Sequence, residues 1–244
     1  MPKPSFVLTE EDRRREEALR AEPEPPRYIS VEGPIGAGKT TLSELLAAHY
    51  HSRLVHEQYE ENPFLSKFYE DRKGMAFQTQ IFFLLSRYRQ QQELLQTDLF
   101  YNSVVSDYIF EKDRIFASIN LSDEELKLYD QIERALFKTI PTPDVVIYLQ
   151  ASVADLQENI RRRGRTYEQQ MSREYLQLVV DAYNEFFFHY RETRLIVVNA
   201  QAMDFVHNPQ HLEQLILTLE RHPHPPVEYI NPLPGELFMQ QERS

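Results

Sequence analysis

Apolar and polar positions along this chain alternate between two spacings. Five short apolar runs are typical of buried parallel strands, and they occupy residues 28–31, 54–56, 103–106, 145–149 and 195–198. Longer stretches between the runs repeat apolar residues every three or four positions, which is the helical period. Strands that alternate with helices predict an α/β fold, here a five-stranded parallel sheet flanked by helices, with ligands at the carboxyl ends of the strands.

Three of the predicted helices are marked most clearly. The longest runs from about residue 76 to residue 96. A second opens at Ser122, where Glu125 three residues later completes a capping box. A third begins near Ser172 and carries a stripe of large apolar residues at helical spacing, namely Leu176, Val179, Val180, Tyr183, Phe186 and Phe187. Such a stripe predicts core or subunit contact rather than a cofactor site.

Both ends of the chain differ in composition from its middle. Residues 1–26 hold five prolines around a run of mixed charge and predict a solvated arm. Residues 27–221 hold the strands and helices and predict one domain. Residues 222–244 hold five further prolines and predict an extended tail that does not add to the sheet.

Charge and composition exclude several classes of function. The formal charge of −11 argues against binding a nucleic-acid polymer, because that affinity comes from many Lys and Arg contacts. The chain has no cysteine, so it holds no disulfide, no thiolate metal site and no Cys nucleophile. No apolar run approaches the roughly 20 residues of a membrane span, and the charged N-terminus is not a signal peptide. We therefore expect a cytoplasmic protein without membrane association.

The strongest chemical signal is a phosphate-binding loop after the first strand. Residues 33–41, GPIGAGKTT, fill the pattern G-x-x-x-x-G-K-[ST] and contain three of the six glycines in the chain. Glycines let the backbone N–H groups point at phosphate oxygens, Lys39 reaches the β- and γ-phosphates, and Thr40 offers its hydroxyl to Mg²⁺. The loop predicts that a nucleoside triphosphate such as ATP binds with Mg²⁺. The expected contacts come from Gly33, Gly36, Ala37, Gly38, Lys39, Thr40 and Thr41.

Glu57 directly follows the second predicted strand. A carboxylate at this strand end, facing the phosphate loop, is placed to accept a proton from an attacking hydroxyl, and a solvated loop acid is the equal alternative. Further along, residues 161–165 place four arginines beside one glycine. In so acidic a chain this cluster favours a mobile cationic lid that closes over ATP and neutralises charge on the transferred phosphoryl group.

Four motifs follow one another in a fixed order along the chain. They are the phosphate loop, Glu57 with Asn62-Pro63-Phe64-Leu65 and Phe68-Tyr69, Gln80-Ile81-Phe82-Phe83-Leu84 with Ser86-Arg87, and Arg163-Gly164-Arg165. Over about residues 28–205 this order resembles the deoxynucleoside kinase family and is closest in style to bacterial deoxyadenosine kinases. The resemblance implies a P-loop kinase fold with an arginine-rich lid, transfer of phosphate from ATP to the 5′-hydroxyl of a deoxynucleoside in nucleotide salvage, and a homodimer.

The resemblance also assigns roles around the reacting phosphate. Glu57 is similar to the general base of the family, and Lys39, Arg163 and Arg165 are similar to its charge-stabilising cations. Arg161 is expected on the cofactor. Which of the lid arginines contact phosphate stays open.

Further positions resemble the nucleoside pocket of the family. Gln80 is similar to the side chain that pairs with the base edge, and an amide offers the donor and acceptor that adenine or cytosine needs. Arg87 lies two helical turns further on the same face, and with Asp113 it resembles the Arg–Asp pair of members that take purine deoxynucleosides or deoxycytidine. A surface ion pair is the alternative for these two. The remaining implied contacts are Phe116 stacking on the base and Tyr69 with Glu168 at the 3′-hydroxyl.

One position departs from the family pattern. The family usually has an acidic residue followed by arginine after the third strand, and this chain has Asp107-Tyr108. Asp107 keeps a hard oxygen ligand suited to Mg²⁺. Tyr108 lacks the cation, so either a lid arginine or Arg114 supplies that charge, or turnover is reduced.

Two alternative functions stay open beside the deoxynucleoside kinase. One is a nucleoside monophosphate kinase, and the other is a non-catalytic P-loop scaffold subunit, which Tyr108 favours. The expected acceptors are a purine deoxynucleoside, with deoxyadenosine first, or deoxycytidine. The sequence does not rank them, because Gln80, Arg87 and Asp113 can each rotate to satisfy different base edges.

Overall fold

The computed structural model describes residues 25–94, 101–136, 140–165, 168 and 171–232. Its centre is a sheet of six parallel strands in the order β2-β3-β1-β4-β5-β6. The strands are β1 (Tyr28–Glu32), β2 (Arg53–Val55), β3 (Val104–Ser106), β4 (Val145–Gln150), β5 (Arg194–Asn199) and β6 (Val227–Ile230). The predicted α/β fold with a parallel sheet is confirmed.

Helices connect the strands and cover both faces of the sheet. They are α1 (Lys39–Tyr50), α2 (Leu65–Glu70), α3 (Arg72–Leu94), α4 (Lys112–Asn120), α5 (Asp123–Leu136), α6 (Val153–Arg163), α7 (Arg173–His189) and α8 (Pro209–Glu220), with a 3₁₀ turn at Tyr59–Glu61. Within the described part of the chain, no helix combines the length and the apolar character needed to cross a bilayer.

Two of the three predicted helix starts are confirmed by their caps. The Ser122 N–H donates to Glu125 Oε2 at 2.9 Å, and the Glu125 N–H donates to Ser122 Oγ at 3.4 Å, so the capping box forms as predicted. Ser172 Oγ accepts from the Tyr175 N–H at 3.2 Å and starts α7. The long helix begins at Arg72, four residues before the predicted start.

The prediction of five strands is wrong, because the proline-rich tail supplies β6. The prolines flank this strand and leave Val227–Ile230 free of them, so its backbone completes a parallel ladder with β5 at the sheet edge. A buried ion pair fixes the strand, since Arg194 Nη2 lies 2.7 Å from Glu228 Oε2. Residues 222–232 are therefore part of the fold. Residues 1–24 of the predicted arm and 233–244 of the predicted tail lie outside the described residues.

The predicted apolar stripe of α7 is core, as expected. Tyr183 and Phe187 are buried against Tyr148 of β4, and the rings of Tyr148 and Phe187 stack with centroids 4.2 Å apart. Burying each such ring removes a large apolar area from water. The opposite face of the sheet packs aliphatic residues from α1, α6 and α8. Both faces of the sheet are thus packed, and the loops that follow its strands start from this packed core.

Candidate active site

A cavity of about 780 Å³ lies beyond the carboxyl ends of the strands. Its walls come from the segments that follow β1, β2, β3 and β5, which is where parallel α/β sheets bind ligands. Most of the predicted site residues line it, namely Gly36, Ala37, Gly38, Lys39, Thr40, Thr41, Glu57, Tyr69, Gln80, Arg87, Asp107, Phe116, Arg163, Arg165 and Glu168. The predicted residues that do not line it are Gly33, Asp113 and Arg161.

The phosphate loop is shaped by glycines at two points. A Cβ at Gly33 would lie 2.7 Å from the carbonyl oxygen of Leu149, so only glycine allows β1 and β4 to approach this closely. Gly38 caps α1 with φ 93°, in the left-handed region. Lys39 folds over the loop, and its Nζ donates to the carbonyls of Gly33 at 2.8 Å and Pro34 at 3.1 Å. The loop is thus held in a compact ring at the start of α1.

Glu32 holds the first residue of the phosphate loop by a hydrogen bond. The sequence did not identify this residue as functional. It is fully buried, and its Oε1 accepts from the Gly33 N–H at 2.8 Å and from Tyr183 Oη at 3.0 Å. Its Oε2 accepts from the Ile109 N–H at 3.0 Å. The carboxylate thereby joins the loop, the exit of β3 and α7. An acidic residue ending an otherwise apolar strand was the available signal.

The two predicted metal ligands lie side by side. Thr40 Oγ1 donates to Asp107 Oδ2 at 3.0 Å, and Asp107 Oδ1 accepts from the Glu57 N–H at 2.8 Å. His56 Nδ1 also lies 3.0 Å from Asp107 Oδ2. A hydroxyl and a carboxylate at the start of α1 form the hard-oxygen donor set that suits Mg²⁺. Across the described ranges no group of three or more His, Asp or Glu side chains could hold a metal, so phosphate oxygens would have to complete the shell.

Four charged side chains meet on one wall of the cavity, and we call them the base cluster: Glu57, Arg87, Lys112 and Asp113. Lys112 Nζ donates to Glu57 Oε2 at 2.5 Å, and Arg87 donates from Nε to Glu57 Oε1 at 3.1 Å. Arg87 also forms an ion pair with Asp113 behind it. Arg87 is 3% exposed and Asp113 is fully buried, so the predicted pairing is confirmed and the surface alternative is not.

Burial and charge act in opposite directions in the base cluster. Burial raises the pKa of Glu57, but the positive charges of Lys112 and Arg87 outweigh it and hold that pKa well below its ordinary value. For Asp113 burial prevails over Arg87 and raises the pKa to about 6. Burial, and then repulsion from Lys112, lower the pKa of Lys39 to about 8. The carboxylate of Glu57 is therefore ionised and ready to accept a hydrogen bond at neutral pH.

Lys112 is the second residue that the sequence reasoning missed, and it provides a cation that Tyr108 does not. Tyr108 is fully buried in the core. Arg114, one predicted source of the charge, pairs with Asp130 of α5 and does not line the cavity. A lysine in the first turn of a helix opposes the helix dipole, and this indicates a nearby anion. That anion is Glu57.

The predicted lid begins as the last turn of α6. Arg163 ends the helix and Gly164 follows with φ 74°, after which Arg165 turns back over the cavity. Arg165 lies 4.2 Å from the ring centroid of Tyr59, and its Nη1 donates to Glu168 Oε1 at 3.2 Å. The cation–π contact with Tyr59 thus fastens the lid to the loop that carries Glu57, and the ion pair with Glu168 orients Arg165.

Arg161 does not meet the prediction that it contacts the cofactor. It is exposed and pairs with Glu158 Oε2 at 2.7 Å on the surface of α6. Arg162 lines the cavity instead, because successive residues on a helix point about 100° apart. Nearer the loop, Asn159 Nδ2 donates to the carbonyl of Gly36 at 2.9 Å and ties α6 to the phosphate loop.

The opposite end of the cavity is less charged and more aromatic. Gln80 is buried on α3, and its Oε1 has no hydrogen-bond partner among the described residues. Phe83, one turn later, stacks under Arg87 with 4.9 Å between the guanidinium carbon and the ring centroid. Phe116 lines the same region with its ring edge toward Tyr183. An unpaired buried amide oxygen beside aromatic rings favours a planar ligand with a hydrogen-bond donor.

Comparison with known proteins covers the whole region that forms the cavity. A family model described as deoxynucleoside kinase matches residues 29–222. A deoxyguanosine kinase from Bacillus subtilis (strain 168) is 34% identical over 195 residues, which are 77% of this chain and 93% of that protein. A deoxyadenosine/deoxycytidine kinase from the same organism is 29% identical over 196 residues, which are 77% of this chain and 89% of that protein. A solved structure of deoxyadenosine kinase from M. mycoides with bound dATP aligns with a TM-score of 0.71 at 25% identity, over 80% of this chain and 100% of that one.

Proposed function

Because the chain belongs to the deoxynucleoside kinase family, we propose that it transfers the γ-phosphoryl group of ATP to the 5′-hydroxyl of a deoxynucleoside. The products are the deoxynucleoside monophosphate and ADP. One observation carries this proposal: a single cavity holds the phosphate loop, the ionised carboxylate of Glu57 and the unpaired amide oxygen of Gln80. The cavity thus combines a site for the phosphoryl donor, a carboxylate that can accept a proton, and an amide that can form a hydrogen bond with the nucleobase.

The proposed step uses groups that are already oriented. The 5′-hydroxyl donates its hydrogen bond to Glu57, and its oxygen attacks the γ-phosphorus as the bond from that phosphorus to the β,γ-bridging oxygen breaks. The hydroxyl proton passes to the Glu57 carboxylate, and the leaving electron pair stays on ADP. Lys39 and the lid arginines Arg163 and Arg165 stabilise the negative charge on the phosphates.

Magnesium fits the residues at the start of α1. We propose that Thr40 and Asp107 hold it, because their oxygens lie 3.0 Å apart at the phosphate loop. Bound there, the ion would neutralise charge on the β- and γ-phosphates. Asp107 also accepts a hydrogen bond from the Glu57 N–H. This one contact positions the proposed metal ligand, Asp107, relative to the proposed general base, Glu57.

We propose a purine deoxynucleoside as the acceptor, with deoxycytidine as the alternative. Gln80 and Arg87 occupy the wall beside Phe83 and Phe116, where a flat base has room to stack. The free Gln80 Oε1 accepts equally well from the 6-amino group of adenine or from the N1–H of guanine. Tyr69 and Glu168 line the cavity beside this pocket, and we assign them to the 3′-hydroxyl of the sugar.

The monophosphate kinase alternative is disfavoured by the charges on the acceptor side. A second phosphate entering there would need cations of its own, and those beside Glu57 and Glu168 are already paired with these carboxylates. The scaffold alternative rested on the missing arginine, and Lys112 now provides a cation near that position. Neither alternative is favoured by a particular contact in the structure.

An ATP-dependent assay across the four deoxynucleosides, their ribose counterparts and the purine deoxynucleoside monophosphates tests the proposal. We expect turnover with deoxyguanosine or deoxyadenosine and much less with thymidine. If monophosphates are the better acceptors, the enzyme is a monophosphate kinase. No turnover together with no ATP binding would support the scaffold.

We also propose a homodimer, as the family resemblance implies. Candidate contact helices are α3 and α5, which expose Leu85 and Leu128 on their surfaces. Sedimentation at micromolar concentration should give twice the mass of one chain, and a monomer would contradict this proposal.

A further inference from the structure

Phosphoryl transfer requires positive charge beside the transferred group, and the cations around this cavity are unequally available. The cationic residues that line it within the described ranges are Lys39, Arg87, Lys112, Arg162, Arg163 and Arg165. Three of the six are held by groups other than Glu57. Lys39 is held by loop carbonyls, and the lid residues Arg163 and Arg165 lie against Glu168 and Tyr59.

Arg87 belongs to the nucleoside side of the cavity. It is buried between Glu57 and Asp113, and the ring of Phe83 covers one face of its guanidinium group. Two carboxylates and a ring together fix its orientation. It is therefore poorly placed to move toward a phosphate.

Lys112 lines the cavity beside Glu57. It is the first residue of α4, it is 5% exposed, and its Nζ lies 2.5 Å from Glu57 Oε2. Its charge also acts on Lys39 across the cavity and lowers the pKa of that residue. An ammonium has three donors, and in the part of the chain that the structure describes Glu57 is the acceptor that the Lys112 ammonium contacts. The other donors are available to a ligand in the cavity.

Charge balance alone does not explain where Lys112 lies. Arg87 pairs with both Glu57 and Asp113, so Lys112 completes a cluster of two carboxylates and two cations, and it does so from a position that lines the cavity. Lys112 also stands at the N-terminus of α4, where the helix dipole disfavours positive charge. Glu57 offsets this cost, and the ammonium of Lys112 is left at the wall of a cavity where a polyanionic ligand would meet it.

Resting on the proposed function, we propose that Lys112 is a catalytic residue whose ammonium contacts the transferring γ-phosphoryl group and takes the place of the arginine that Tyr108 lacks. Lys112 keeps its proton throughout. The 5′-oxygen to phosphorus bond forms, the bond from phosphorus to the bridging oxygen breaks, and the hydroxyl proton goes to Glu57. As Lys112 shifts toward the phosphoryl oxygens, Glu57 loses part of its positive neighbour and becomes a better proton acceptor.

The test compares neutral and charged variants at position 112 with a matched control on the same helix. Lys112→Met should lower kcat by about 10²–10³, the usual cost of removing one charge-stabilising donor, with the Kd for Mg·ATP within about threefold of wild type. Lys112→Arg keeps the charge and should retain more turnover than Lys112→Met. Arg114→Gln, two residues along α4 and outside the cavity, should leave kcat unchanged.

Chemical rescue separates a catalytic charge from a packing role. Lys112→Ala removes the portion of the side chain that propylammonium replaces, so adding this amine should restore turnover in a saturable way. Tetramethylammonium at equal ionic strength should not. Thermal unfolding of each variant shows whether it is folded. If Lys112→Met is not folded, Lys112→Gln replaces it as the neutral variant.

The outcomes distinguish the two proposals. If the wild-type protein phosphorylates no deoxynucleoside, the proposed function fails and the role of Lys112 fails with it. If the wild type is active and Lys112→Met stays within threefold of its kcat, only the proposal for Lys112 is overturned. Loss of turnover without rescue of a folded Lys112→Ala also overturns it, because a packing role then explains the loss.

Discussion

Two buried charge clusters in this molecule look alike and are used differently. The base cluster holds Glu57 between Arg87 and Lys112 at the cavity wall. At the far edge of the sheet, an edge cluster holds Glu228 of β6 between Arg194 and Arg221. Each cluster places one carboxylate between two cations. They differ in what surrounds them.

The edge cluster makes its contacts with protein groups, and one buried atom, Arg194 Nε, has no partner among the described residues. Arg194 donates to the carbonyls of Leu219 at 2.9 Å and Thr218 at 2.5 Å, and both oxygens of Glu228 are paired. The base cluster instead borders the cavity, next to the unpaired oxygen of Gln80. The charges of the edge cluster pair with protein groups and stabilise β6. The charges of the base cluster border a cavity and are available to a ligand.

Removing the carboxylate from the base cluster should have the largest effect on function. Glu57→Gln keeps the size of the side chain but cannot accept a proton, so kcat should fall by about 10²–10⁴. Initial rates with saturating ATP and deoxynucleoside measure this. The Kd for Mg·ATP, from titration of the same preparation, should change little. Full turnover in a folded Glu57→Gln protein would contradict the assignment of the base and remove the contrast between the clusters.

The equivalent change in the edge cluster should affect stability and spare catalysis. Glu228→Gln leaves Arg194 buried without its charge partner, which should cost roughly 3 kcal/mol of the free energy of unfolding, with Arg221 half exposed and screened. The melting temperature should fall by roughly 6–12 °C.

The matched control for the edge cluster is turnover measured well below the melting temperature. There Glu228→Gln should have kcat within about twofold of the wild type, because no residue of the edge cluster lines the cavity. A large loss of kcat in the folded variant would show that the two clusters are coupled through the sheet.

The comparison also explains what the sequence could and could not predict. The strands, the phosphate loop and the common face of Gln80 and Arg87 depend on local periodicity, and the structure agrees with each. β6 was missed because the prolines around it outweighed its four residues, and because the partner of its Glu228 is Arg194, 34 positions away. Lys112 was missed because its partner Glu57 lies 55 positions earlier. Long-range ion pairs leave no periodic pattern in a sequence.

The smallest expected effect is a pH dependence that belongs to the base cluster. Burial raises the pKa of Asp113 to about 6, against an ordinary value near 3.8, with Arg87, Glu57 and Lys112 facing it. A carboxyl whose folded pKa is raised binds its proton more tightly in the folded state. Its contribution to stability is present below about pH 4 and is lost as the pH rises through about 6.

Asp113→Asn removes this titration, so the difference in unfolding free energy between the variant and the wild type should shift in favour of the variant as the pH rises from about 4 to about 6. Urea unfolding at several pH values measures it, and taking the difference cancels the contributions of groups that the two proteins share. Glu57 does not interfere, because its lowered pKa places its titration below this window. In the same experiment, Glu228→Gln should keep the pH dependence of the unfolding free energy that the wild type shows in this window. A flat difference for Asp113→Asn would mean that Arg87 keeps Asp113 ionised, and both clusters would then be closed ion pairs whose only distinction is the cavity beside one of them.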